Sequence, residues 1–452
     1  MQKLNDTPIF WFFLSLIFWA PLPLGSNREW SQMLLCIIIA LLSISWFYLF
    51  IKEKISFTNV LYKSRYAFFL LFCSIIFLAY QYKFNSIDAE STLIELIFSI
   101  ALILYFGLSL VLINSTKRIE LTIYCIVISG VFQSSLGALM TLSEIEYSFF
   151  FIPKESHVGV ATGTFANRNH LANYLTICSA FGIGILISKL KTHSHENFKS
   201  FFLSIINTII NNKIILRLAI VLMVTGIVLT HSRMGNSAFF ISLTVTIVLM
   251  LLLSKRSFKS IIIFFISMLI IDIAIIGTFF GVDKVIHRLE TTSINRESRD
   301  EVDIYSISII KDNIMTGTGA GTFYTAFPQV RKENLGFLFY DHAHNDYLEF
   351  LVERGLIGIL PLVILVIFTF AVAFKALRKR KKKLLKGCAF ASLMSIIAMA
   401  IHSTVEFNLQ IPANSMLFVL SLALGWISLY FERGNSSKYL ANSSNSGHKK
   451  SG

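Results

Sequence analysis

Charged side chains are scarce in this chain: Asp, Glu, Lys and Arg make up 15% of its 452 residues, against 55% hydrophobic. A soluble domain carries about 25% charge, so an ordinary soluble protein is excluded. Cysteine is scarce as well. The five, Cys36, Cys73, Cys125, Cys178 and Cys388, lie in or at the edge of apolar runs without metal-ligand spacing, so they read as small core residues rather than a disulfide framework. The N-terminal apolar run lacks a small-x-small cleavage site and reads as a retained span, not a signal peptide. No ladder of carboxylates crosses the apolar runs, where Asp272 is nearly the sole deep one, and no inverted repeat is detectable. Both absences speak against a proton pump or antiporter.

What the chain has is apolar length. Runs such as LLCIIIALLSISWFYLF and FFISMLIIDIAIIGTFF can each cross a hydrocarbon core of about 30 Å, and only helices satisfy their backbone there. The fold class expected is an all-α polytopic membrane protein with about 12 transmembrane helices and one large outer loop containing short helices. The spans read at 8–25, 30–51, 66–82, 91–113, 119–142, 168–188, 214–231, 235–254, 260–281, 346–374, 387–404 and 412–431. Residues 1–281 thus hold nine spans, 282–345 the outer loop, 346–432 the last three spans, and 433–452 a disordered cytoplasmic tail. The net charge of +14 (40 basic minus 26 acidic) invites a nucleic-acid reading. Its placement favours membrane topology instead: with both termini inside, the basic residues concentrate in the cytoplasmic loops, above all in KALRKRKKKLLK, Lys375 to Lys386. No nucleic-acid partner is expected; anionic membrane lipid is.

Polar motifs gather on the other side. In PLPLGSNREW, Arg28 suits a lipid headgroup or an anionic ligand. HVGVATGTFANRNHLANYL opens a span with Arg168 and Asn169, where free helix N–H groups can face an anion, though asparagine capping and a snorkelling arginine would look the same. THSRMGNSA keeps Arg233 in a very short connection between two apolar runs. An arginine at a span centre costs about 2.5–3.5 kcal/mol, less near an interface, so such a residue tends to face a cavity and a partner. The outer loop carries Arg296 and Arg299, and in RDEVDIYSISIIK the residues Val302, Tyr305, Ile309 and Ile310 share a helical face fit to lie over the bundle. GTGAGTF, Gly317 to Phe323, lacks the strand-and-helix context of a nucleotide loop and reads as a flexible turn between surface helices. QYKFNSIDAE, Gln81 to Glu90, reads as plain loop. In HSTVEFNLQIPANS, Glu406 and Asn408 sit between two spans and read as packing residues.

The stretch that organises the rest is HAHNDYLEFLVERGLIG, His342 to Gly358. At helical spacing His344, Leu348, Leu351, Gly355 and Gly358 share a face, and the glycines would let another helix approach closely. His344 is a titratable group at the join of a polar loop and a packed span, able to take a proton from a hydroxyl. Arginines hold phosphate in bidentate fashion. Together these suit group transfer from a lipid diphosphate at the membrane surface.

HAHNDYLEFLVERGLIG resembles the signature of the O-antigen ligase and polymerase superfamily, as do SRMG and the run from Arg299 through GTGAGTF to Pro328. PLPLGSNREW, GTFANRNHLANYL and EFNLQIPAN resemble companion motifs of one bacterial branch, so the resemblance covers Pro21 to about Gly425. It implies a multi-pass glycosyltransferase of the bacterial inner membrane with its active site facing the periplasm. The donor implied is a glycan on undecaprenyl diphosphate; the acceptor is the lipid A core for ligases or a lipid-linked glycan for polymerases. By the resemblance Arg233, Arg299 and His344 are the catalytic residues, with Arg296 a substitute for Arg299. Arg168, Asn169, Arg28 and Asn345 are expected at the substrate. No cofactor and no metal is implied, and transfer is expected to invert the anomeric carbon. A transporter for the same lipid-linked glycan would share the arginines but should show paired broken spans near mid-membrane.

Overall fold

The computed structural model describes residues 6–52, 55, 57–143, 147, 153–154, 156–189, 214–253, 293–330 and 340–432, with 293–300 described as backbone alone. The described residues form fourteen α-helices: α1 Thr7–Trp19, α2 Glu29–Ile51, α3 Asn59–Lys63, α4 Arg65–Tyr80, α5 Ala89–Leu112, α6 Thr116–Leu142, α7 Arg168–Lys189, α8 Ile214–Leu229, α9 Arg233–Leu253, α10 Ser293–Asp312, α11 Phe323–Val330, α12 Asp346–Lys379, α13 Lys383–His402 and α14 Pro412–Tyr430. A π-helical turn, Gln81–Asn85, extends α4. No strand occurs among the described residues.

Nine of these helices are long and apolar enough to cross a membrane: α2, α4 with its extension, α5, α6, α7, α9, α12, α13 and α14. Helices α1 and α8 are apolar but shorter, and the span expected at 260–281 lies outside the described residues. The centre of the bundle is α7, whose apolar window is 94% buried, against 33% in peripheral α2. Its closest partner is α13: a Cβ on Gly184 would strike the Gly387 carbonyl, and one on Gly387 the Gly184 carbonyl. Small residues thus bring two backbones together where lipid gives helices no hydrophobic reason to associate.

At one end of the bundle Asp6 pairs with Arg118 at 2.6 Å. The basic run begins there too, with Arg380 donating from Nε to the Ser428 carbonyl at 2.9 Å and from Nη2 to that of Phe431 at 2.7 Å. The polar motifs occupy the other end. There Ala413 N–H donates to the Gly25 carbonyl (3.1 Å), Ala161 N–H to that of Leu229 (3.0 Å), and Leu24 bridges to Phe165.

Helix α12 departs from the expected continuous span. Gly355 breaks it with φ 58°, ψ −175°. The segment 314–319 fills the break: Leu356 N–H donates to Ile314 (2.9 Å), Ile357 N–H to Met315 (3.1 Å), Thr318 N–H to Val352 (2.9 Å) and Gly319 N–H to Glu353 (2.9 Å). Every backbone group orphaned by a break in a span needs such a partner. GTGAGTF is therefore a buried plug, not a flexible turn, and the N–H of Phe323 at the start of α11 donates to the Glu353 carboxylate at 3.1 Å. Gln81 to Glu90, read as plain loop, anchors the plug: Gln81 Nε2 donates to the Glu353 carbonyl (2.8 Å) and Asn85 Nδ2 to that of Gly317 (3.1 Å). The helical face expected from His344 to Gly358 is interrupted, because α12 starts after His344 and ends its first segment at Gly355. Gly358 does serve close approach, with Phe77 against it.

Outside the bundle α10 and α11 form a small core. Val302, Ile309, Phe323 and Phe327 are buried together with Val352 of α12, and Tyr305 and Ile310 pack against them, on the face the spacing predicts.

Candidate active site

His344 lies in the segment entering α12, and its backbone is held in the left-handed region at φ 51°. That conformation is costly for a side chain other than glycine and persists where neighbours over-determine it. They do so here on both sides. Ala343 N–H donates to Glu349 Oε2 at 2.8 Å, and Asp346 N–H donates to the carbonyls of Ser403 (3.0 Å) and Glu406 (3.2 Å). The Asn345 side chain caps α12, accepting from the N–H groups of Tyr347 (3.1 Å) and Leu348 (3.3 Å). Asn345 was expected at the substrate; its carbonyl oxygen is taken up by the cap.

The imidazole of His344 meets Glu406 from the turn between α13 and α14, Nδ1 to Oε2, at 3.3 Å. Glu406 is 1% exposed, and its other oxygen accepts from Asn169 Nδ2 at the start of α7. Three motifs far apart in sequence thus converge on one buried carboxylate. Phe407 completes the floor: His342 stacks on its ring (centroids 4.0 Å, 15°), while His344 (4.9 Å, 75°) and His170 (4.6 Å, 79°) meet it edge-on. His402, at the end of α13, is also buried.

Arg168 is half-buried at the first turn of α7, where Asn167 Oδ1 accepts the Asn169 N–H at 2.8 Å. Its charge reaches the same space: burial pushes the His157 imidazole below its usual range, and Arg168 and then Lys154 push it further, while Glu406 opposes them. Arg233 is exposed at the start of α9. The Ser232 hydroxyl accepts the Gly235 N–H at 3.1 Å, and a Cβ on Gly235 would lie 2.5 Å from Cβ of Ala172, one turn along α7 from Asn169. Arg233 and His344 therefore occupy the same end of the bundle. Arg28 is exposed at the N-cap of α2, with its backbone N–H on the Ser31 hydroxyl, and among the described residues no hydrogen bond joins its side chain to the histidines. Arg296 and Arg299 lie on helix α10, but their side chains fall outside the described residues.

Sequence reasoning missed the acidic side of this site. Glu406 was read as packing, although its place between two spans was the signal. Glu95, Asp346, Glu349 and Glu353 also went unnoticed in a chain expected to lack intramembrane carboxylates, and all but Glu95 are 1–2% exposed. Asp346 accepts from the Ser403 hydroxyl at 2.6 Å, and Glu95 pairs with Arg354 at 3.2 Å. Asp346 and Glu95 thus have the partners that buried carboxylates require.

Residues 218–363 match the family model described as O-Antigen ligase. Over that stretch, about a third of the chain, the match supports a likeness to the O-antigen ligase and polymerase superfamily. The match spans α8 and α9 with Arg233, the surface helices, the glycine plug and the histidine stretch through the break in α12. No curated protein matches the chain. Lipid-linked glycans are the substrate class this superfamily implies, and a membrane glycosyltransferase is its kind of enzyme.

Proposed function

We propose that the chain transfers a glycan from undecaprenyl diphosphate to an acceptor hydroxyl, with the lipid A core as acceptor. The observation that carries this reading is the convergence of His344, Glu406 and Asn169 beside two arginine-bearing helix starts. Glu406 fixes the imidazole through Nδ1, leaving Nε2 to receive the hydroxyl proton. The hydroxyl oxygen then attacks the anomeric carbon in one displacement, and the bond to the diphosphate oxygen breaks with its electron pair. Arg233 and Arg299 meet the charge that grows there. The leaving group is already good, so positioning carries much of the rate. The basic run lies at the opposite end of the bundle, and by the positive-inside rule this supports a site on the non-cytoplasmic face of the bacterial inner membrane.

The test is the product formed by purified protein from lipid-linked glycan, with and without lipid A core. Modified core supports the ligase; a glycan ladder without core makes the enzyme a polymerase; transbilayer movement without a new glycosidic bond refutes the enzyme reading. His344→Ala retaining full transfer refutes the base assignment. Arg233→Lys with unchanged donor binding and rate refutes a bidentate contact.

A further inference from the structure

One ionisable group at the site has no part in that scheme, and its surroundings are built. His342 directs Nδ1 at Glu349 Oε1, 2.6 Å away, and Glu349 is 1% exposed. The second oxygen of Glu349 is occupied by the Ala343 N–H. A carboxylate so deeply buried demands a countercharge, and the imidazole is the one in contact with it. The ring is also held flat against Phe407 at 4.0 Å. One edge and one face are thereby committed, yet the side chain remains 24% exposed. In the imidazolium both nitrogens are donors, so with Nδ1 on Glu349 the open edge presents an Nε2–H.

We propose that His342 is a standing cation that donates Nε2–H to a phosphate oxygen of the diphosphate donor, while His344 serves the acceptor hydroxyl. This rests on the proposed function above. His342 keeps its proton throughout; it meets the charge that the leaving diphosphate gains when the bond to the anomeric carbon breaks. Two imidazoles on one phenyl ring thus take opposite parts, one anchored by a carboxylate that also serves Asn169, the other by a carboxylate serving its own loop.

The charge on His342 is maintained against burial. Burial lowers its affinity for a proton, but Glu349, through charge and hydrogen bond, then Asp341 and Glu353, carry its pKa up to about 9. The ionisable groups facing it are Asp341 from its own segment, Asp346, Glu349 and Glu353 from α12, Glu95 from α5 and His170 from α7.

The experiment measures equilibrium binding of undecaprenyl diphosphate to the purified full-length protein as a function of pH. His342→Gln should weaken binding about tenfold at pH 7.5, the size of one charge-assisted hydrogen bond. In the unsubstituted protein the advantage over His342→Gln should persist to about pH 9 and then vanish. In Glu349→Gln it should vanish near the ordinary imidazole value of about 6.5 and return in mild acid, a recovery that a folding defect cannot mimic. Equal binding by His342→Gln and the unsubstituted protein overturns the inference, as does a pH profile unmoved by Glu349→Gln. If His344→Ala abolishes transfer while His342→Gln binds normally, this inference fails alone. If the folded unsubstituted protein neither binds the diphosphate nor transfers, the proposed function fails with it.

Discussion

Replacing Gly355 with alanine tests whether the plug holds α12 together. At φ 58° and ψ −175° the backbone lies in a region essentially reserved for glycine, which costs a side chain about 1–3 kcal/mol. The new Cβ would stand 2.5 Å from both the carbonyl carbon and oxygen of Met315 and 2.6 Å from the Gly317 nitrogen. These are backbone atoms and cannot rotate aside. The segment must withdraw, loosening the bonds from Leu356 and Ile357 to Ile314 and Met315, each contributing about 1 kcal/mol net. The sum is a loss of about 3–5 kcal/mol. Gly159→Ala calibrates it: φ is 72° but nothing lies within 4 Å, so backbone strain alone applies, about 1–2 kcal/mol. Equilibrium unfolding in mixed detergent micelles should separate the two variants by at least 1 kcal/mol, with transfer lost in Gly355→Ala. Equal destabilisation by the two would refute the clamping of 314–319 in the break.

Glu406→Gln keeps size and removes the charge that fixes His344; transfer should fall on the order of a hundredfold in initial-rate assays with folding unchanged, and a normal rate refutes that role. Asp88 caps α5 and accepts from Thr325 at 3.1 Å. Burial works against its ionisation, but the bonds from Ser91 and Thr325 hold its carboxyl below the ordinary range. A folded pKa below the unfolded one gives stability that is present above about pH 4 and lost as pH falls through the folded value. Asp88→Ala should therefore cost about 1 kcal/mol near neutrality, and its unfolding curve should converge on the unsubstituted one in acid; a gap constant with pH refutes the cap's charge. Gly387→Ala should force α7 from α13, destabilise by about 2 kcal/mol or more and lower transfer by moving Asn169 off Glu406; normal unfolding and rate would show that the crossing can relax.

The membrane class and most spans were legible because hydropathy over twenty residues needs no tertiary information. Span parity likewise groups Arg168, Arg233 and His344 at one end once the loops are counted; Arg299, expected with them, has its side chain outside the described residues. The face of α10 followed from periodicity alone. The break in α12 was not legible: two glycines three residues apart look the same whether one admits a neighbour, as Gly358 does, or takes a positive φ, as Gly355 does. The plug was misread for the same reason, because positive-φ glycines at Gly317, Gly319 and Gly321 suit a mobile turn and a tightly held one equally. Glu349 and Glu353 escaped notice, and Glu406 was read as packing, because a carboxylate near the end of a span shows no partner until its neighbours cover it.

The plug has a mechanical consequence. Residues 314–319 join the end of α10 to α11 while also serving as the missing turn of α12, so the extramembrane helices cannot be displaced without pulling on the segment that carries Glu349 and Glu353. A load on α10 would pass through this short lever to Glu349, and so to His342, without any hinge between them.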